Sequence, residues 1–95
     1  MSDIDITRET GETKGRFVAV LDGVEAELTF SITSPTMIIA DHTGVPDALA
    51  GKGVGGALVR ALVADARERG LKVIPLCPFV KAQYARHPEW SDVFG

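Results

Sequence analysis

Four glycines fall within the six residues Gly51-Lys52-Gly53-Val54-Gly55-Gly56, and a helical pattern begins directly after them. Without a Cβ the backbone can approach a ligand closely, and the first amides of a helix have no carbonyl partner inside it. The helix dipole adds about half a positive charge at that end. Lys52 adds a whole one, so the natural guest is an anion, phosphate above all. The same glycines also suit a turn that holds nothing. Two phosphate motifs can be set aside. A nucleoside-triphosphate loop needs Ser or Thr after Gly-Lys, and Lys52 is followed by Gly53. Gly51, Gly53 and Gly56 fit G-x-G-x-x-G, but the preceding strand ends too early and no acidic residue follows at about 20 residues. A chain of 95 residues is also too short for a dinucleotide fold.

Two other side chains are of reactive type. Cys77 is the lone cysteine, so it has no internal disulfide partner and no companion ligands for a metal site. It stands immediately before a helix, where the dipole favours thiolate. It is therefore either a nucleophile that takes up an acyl group or a small buried apolar residue. His42 sits at the end of a strand that runs into the glycine-rich turn. Imidazole titrates near neutrality and suits a general base, while a histidine in a strand is equally a structural residue. His87-Pro88-Glu89 reads as a helix-ending turn, and no metal is expected.

These residues must be positioned by strands and helices that the pattern also marks. Residues 1 to 15 show no sustained period and read as a flexible arm or a short edge strand. Arg16 to Leu21 is a short apolar run, and Asp22-Gly23 favours a two-residue hairpin turn because both positions tolerate positive φ. Val24, Ala26, Leu28, Phe30 and Ile32 then alternate with Glu25, Glu27, Thr29 and Ser31, a period of two. After Ser34-Pro35, the unbroken run Met37 to Ala40 suggests a strand covered on both faces, leading into Asp41-His42-Thr43-Gly44-Val45. The helix after the glycines places Ala57, Leu58, Ala61, Leu62 and Asp65 on one face, and Gly70 closes it. Lys72 to Cys77 reads as a buried strand limited by Pro75. Pro78 opens a last helix, Phe79 to Arg86. The fold class is α/β: three antiparallel strands, a helix, a fourth strand parallel to the third, and a C-terminal helix. The glycine-rich turn lies at the C-terminal end of the third strand, where such sheets bind ligands.

Composition narrows the partners. The hydrophobic set makes up 45% of the chain, the signature of an ordinary globule. The formal charge of -3 argues against nucleic acid. Residues 1 to 49 carry three basic and nine acidic side chains, and residues 50 to 95 seven basic and four acidic, so an anionic ligand would bind the second half. No apolar run approaches the roughly 20 residues that span a bilayer, and Met1-Ser2-Asp3-Ile4-Asp5 lacks the basic start of a signal peptide. The expectation is a cytoplasmic domain that binds no membrane, with a monomer favoured.

Ala50-Gly51-Lys52-Gly53-Val54-Gly55 resembles the pyrophosphate loop of the GNAT N-acetyltransferase superfamily, [Q/R]-x-x-G-x-[G/A]. The preceding Val45-Pro46-Asp47-Ala48-Leu49 and the following helix and strand also have that family's spacing. The resemblance runs over residues 16–90 and is greatest to a compact, stand-alone branch with His-Thr, Gly-Lys-Gly, Pro-x-Cys and His-Pro-Glu signatures. The chain departs from the pattern twice. Ala50 stands where Gln or Arg is usual, so Lys52 or the backbone must replace one phosphate contact. Only Asp22 and Gly23 join the first two strands, so the helices that form part of the family's acceptor cleft are absent and the acceptor site is open.

The resemblance implies an acetyl-CoA-dependent N-acetyltransferase acting on an amine, small or proteinaceous. The pantetheine arm would pair with backbone near His42 to Val45, Thr43 and Val45 among them, and the amides of Lys52, Gly53, Val54, Gly55 and Gly56 would hold the pyrophosphate. Tyr84 matches the family tyrosine that protonates the leaving thiolate, a task within a phenol's reach. A half-buried tyrosine packed on the sheet is the alternative. Cys77 and His42 complete the catalytic candidates, with direct attack by the amine favoured over an acyl-cysteine. A non-catalytic acyl-CoA or CoA-binding module would use the same glycine-rich turn.

Overall fold

The structure is a computed structural model that describes residues 4–94. Strand β1 (Asp5–Thr10) forms within the segment of residues 1–15 read as an arm or edge strand, of which residues 1–3 lie outside the described residues. It pairs with β2 (Lys14–Leu21). Asp22 and Gly23 have φ of 53° and 75°, and this two-residue turn sets Leu21 opposite Val24 in β3 (Val24–Ser34). Strand β4 (Met37–Gly44) is antiparallel to β3. Helix α1 (Val54–Arg69) then crosses over to β5 (Lys72–Pro75), which lies parallel to β4, and α2 (Pro78–Arg86) follows. The sheet order is β1-β2-β3-β4-β5, so β1 adds a fourth antiparallel strand to the three expected. Among the described residues no helix is long and apolar enough to cross a membrane.

Both helices lie on one face. Phe17 and Ala19 of β2, Ala26, Leu28 and Phe30 of β3, Ile38 and Ala40 of β4 and Val73 of β5 share a single core with α1, α2 and the C-terminal Trp90, Val93 and Phe94. The buried stripe of α1 is Val54, Leu58, Val59, Leu62, Val63 and Ala66. It is turned from the expected face because the valines fill core volume that Ala57 and Ala61 cannot. Asp65, expected on the buried face, bonds instead to Arg8 at 3.0 Å and to Arg69 at 2.8 Å, tying the helix to β1. Gly70 closes α1 at φ 69°: its amide reaches Arg67 O at 3.3 Å and that of Leu71 reaches Ala66 O at 2.8 Å.

The other face of the sheet carries no helix, which corrects the expectation that Met37 to Ala40 is covered on both sides. Met37 is exposed and Ile39 half-buried. An apolar run reads alike whether a helix covers its second face or flanking side chains merely shade it. Here the second face carries Arg16, bonded to Glu9 at 2.8 Å, Glu25 at 3.4 Å and Glu27 at 2.7 Å.

Strand β5 stops two residues before the expected Cys77, and Ile74 and Leu76 are 41% and 66% exposed rather than buried. Pro75 has no amide to continue the ladder. The chain bends so that the Leu76 amide donates to Ile74 O at 3.0 Å and that of Cys77 to Ala40 O at 2.9 Å. On the outer margin, the Val73 amide donates to Val93 O at 2.8 Å.

A short turn, Pro88–Asp92, is fastened to α1 by Arg67, whose guanidinium donates to both Asp92 oxygens at 2.8 Å and to Glu89 O at 3.2 Å. The Arg67 hydrogen bond holds the Asp92 carboxyl below its ordinary range. A depressed carboxyl adds stability above its unfolded value of about 4 and loses it as pH falls through the folded value. Between about pH 5 and pH 3 the melting temperature of the wild type should therefore fall more steeply than that of Asp92→Asn. The difference should be small because the pair is exposed, and parallel acid limbs would show that it contributes nothing.

Candidate functional site

Three turn hydrogen bonds wind the chain from β4 into α1: Leu49 to Pro46 O at 2.9 Å, Ala50 to Asp47 O at 3.0 Å and Lys52 to Leu49 O at 3.3 Å. Gly51 and Gly53 both take φ of 76°, a left-handed backbone that glycine reaches without strain. Gly53 caps α1 and supplies no side chain to bond its amides. The first amide bonded back is that of Ala57, to Gly53 O at 3.0 Å. The amides of Val54, Gly55 and Gly56 thus have no backbone acceptor among the described residues, and Val54 and Gly55 are buried. Buried, unpartnered donors at the positive end of a helix dipole are suited to an anion. The Lys52 amide, expected in this set, is already bonded to Leu49, so the free run starts one residue later, at Gly53. The Lys52 ammonium lies 4.0 Å from Asp22 Oδ2, with both side chains exposed.

A cavity of about 330 Å³ lies against these amides, lined by Val45, Leu49, the glycine-rich turn, Phe79 and Gln83. Phe79 covers Gly55 so closely that a methyl group placed on Gly55 would come within 2.7 Å of its ring. That contact explains the glycine at this position. Gln83 lies one turn further along α2, on the same face as Phe79. In the sequence these two residues are marked only by their spacing of four along the helix that Pro78 opens.

The third component is the second half of β4. Its pairing with β5 runs from Met37↔Lys72 to Ala40↔Pro75 and ends with the Cys77 amide on Ala40 O. From Asp41 to Gly44 the strand keeps β3 on one side and has no β5 partner on the other. A bulge begins this stretch: Phe30 pairs with Ala40 and Thr29 with His42, leaving Asp41 as the extra residue. Ser31 Oγ donates to Asp41 Oδ2 at 2.5 Å. Thr43 faces the helices, with Oγ1 3.4 Å from Sγ of buried Cys77 at the start of α2. His42 is exposed beside Gly44 on the opposite face.

The sequence-derived residues therefore fall into separate groups. Val45, Gly53, Val54, Gly55 and Gly56 line the glycine cavity, whereas Lys52, Thr43, Cys77, His42 and Tyr84 do not. Tyr84 is half-buried on α2, its ring stacked on Phe94 with centroids 4.7 Å apart. His87 stacks on Trp90 at 4.2 Å and bonds Glu89 at 2.9 Å, as a helix-ending turn requires.

The family model described as GCN5-related N-acetyl-transferase matches residues 16–93 of this chain. No curated protein matches the sequence. Among solved structures, the chain is similar to the NMR solution structure of a GCN5-like candidate N-acetyltransferase from Staphylococcus aureus. The two share 37% sequence identity with a TM-score of 0.70, over 100% of this chain and 91% of that one.

Proposed function

This chain belongs to the GCN5-related N-acetyltransferase family, and from that premise we propose that it transfers an acetyl group from acetyl-CoA to an amine by direct attack. The observation that carries the reading is the run of unpartnered amides at Val54, Gly55 and Gly56, which opens into the same cavity as Val45 at the unpaired end of β4. The amides supply donors for a pyrophosphate, and the missing Cβ of Gly55 leaves room for Phe79 at the wall of the cavity. Polar backbone of residues 41–44, with no β5 strand beside it, supplies partners for the amides of a pantetheine arm. The thioester then lies beside β4, within reach of Thr43 and Cys77 on one face and His42 on the other.

The incoming nitrogen must be neutral to attack, and the departing thiolate must gain a proton. Tyr84 is our candidate for that proton. Cys77 is buried and hydrogen-bonded to Thr43, which supports a packing role over an acyl-cysteine.

A melting-temperature titration tests the donor: acetyl-CoA should raise the melting temperature, and no change would remove the basis of this reading. Release of free thiol with a panel of amines then separates an enzyme from a CoA-binding module. Tyr84→Phe should slow that release by about a hundredfold, the scale of general acid catalysis, and leave acetyl-CoA affinity intact. An unchanged rate would leave Tyr84 as a packing residue on Phe94.

A further inference from the structure

The uncovered face of the sheet has a notch at Gly44. Strand alternation turns Thr43 to the helices and its neighbours His42 and Gly44 to the other face. Gly44 fills none of the space above it: a methyl group placed there would lie 3.6 Å from His42 Nε2 and 4.0 Å from Cγ of Glu27, its partner on β3. An imidazole nitrogen and a carboxylate arm thus flank an open position on the strand. A cavity of about 480 Å³ lies over it, lined by Glu25, Ala26, Glu27, Gly44, Val45 and Pro46. Val45 also lines the glycine cavity, so the two spaces adjoin at the end of β4.

We infer that the notch at Gly44 is the acceptor subsite and that it takes a small aliphatic diamine, with His42 as the group that removes the proton from the attacking nitrogen. The inference rests on the acetyl-transfer reading above. Charge complementarity selects the ligand: Arg16 is one cation among Glu9, Glu25 and Glu27, so this side of the sheet keeps an excess of negative charge. Glu25 stands two residues from Glu27 along β3, roughly 7 Å away. One ammonium group can therefore meet Glu25 while the other nitrogen occupies the notch, a span suited to a four-carbon diamine. In the transfer, the nitrogen lone pair forms the C–N bond to the thioester carbon. The C–S bond breaks with its electron pair on sulfur. The proton leaving nitrogen passes to His42 Nε2, and the thiolate is protonated separately.

The experiment is an NMR titration of the labelled protein with 1,4-diaminobutane and, separately, n-butylamine, each with and without acetyl-CoA, followed by rate measurements. The diamine should move the amide signals of Glu27, His42 and Gly44 and be acetylated with a kcat/KM about fivefold above the monoamine, the scale of exposed ion pairs. Glu25→Gln should remove that preference. His42→Gln should lower kcat by about a hundredfold at similar KM. Signals at the notch that stay still with acetyl-CoA bound, equal use of the two amines, a preference that survives Glu25→Gln, or an unslowed His42→Gln would each overturn the inference. Unmoved signals at Val54, Gly55 and Gly56 on adding acetyl-CoA would instead sink the transfer reading, whatever the amines do at Gly44.

Discussion

Gly53→Val should sharply reduce the acetyl-CoA-induced rise in melting temperature, and Gly53→Asn should keep most of it. Gly53 caps α1 with φ 76° and ψ 13°, and nothing lies within 4 Å of where its side chain would start. A substitution there meets no steric wall, so its cost is conformational. For an L-residue the left-handed region costs about 1–2 kcal/mol, and asparagine escapes much of that by hydrogen bonding locally. A β-branched residue does not. The turn relaxes away from the left-handed geometry, and the amides of Val54, Gly55 and Gly56 no longer converge. Since about 1.4 kcal/mol is tenfold in affinity, calorimetry should find acetyl-CoA bound at least about tenfold more weakly by the valine variant. Equal affinities for the valine and asparagine variants would mean that the turn's shape does not matter to binding.

The largest effect on stability should come from Gly15→Ala, a single methyl group. Gly15 lies in β2 between Thr10 and Phe30. A Cβ there would stand 2.5 Å from Phe30 Cζ and 2.7 Å from Glu9 O. Phe30 is fully buried against Phe17 and beneath the Arg8 guanidinium, and Glu9 O belongs to a paired strand, so neither can yield. Overpacking of this kind costs about 2–3 kcal/mol, which for a domain of this size is a fall of roughly 10–20 °C in melting temperature. Gly55→Ala is the instructive contrast. The group it meets is the end of Phe79, a ring 38% exposed that can swing aside. A loss of less than about 0.5 kcal/mol for Gly15→Ala, as at an ordinary surface site, would show that β1 and β2 separate there easily.

Local rules carried much of the architecture. Asp22-Gly23, the alternation from Val24 to Ile32 and the closing glycine at position 70 each depend on the preferences of a few adjacent residues, and the structure follows them. The glycine-rich turn was legible for the same reason. What a local pattern does not hold is the identity of a distant neighbour. Nothing near Asp41 marks it as a bulge, because the bulge exists only in register with Phe30 and Thr29. Nothing near Gly55 announces Phe79, more than twenty positions away in the chain. The missing cover over Arg16 and Ile39 is likewise a property of the whole topology. The Lys52 amide departs from the expected free set because a tight turn before α1 offers it Leu49 O, a choice that composition does not reveal.

The Val73 amide, already engaged by Val93, has a consequence for how the molecule meets its neighbours. By alternation Pro75 faces the same outer side of β5 and has no hydrogen to offer. An intruding chain seeking to lengthen the sheet at this border therefore finds its donors withdrawn. The segment around Val93 acts as a guard rail along this one border, while β1 forms the opposite border of the sheet.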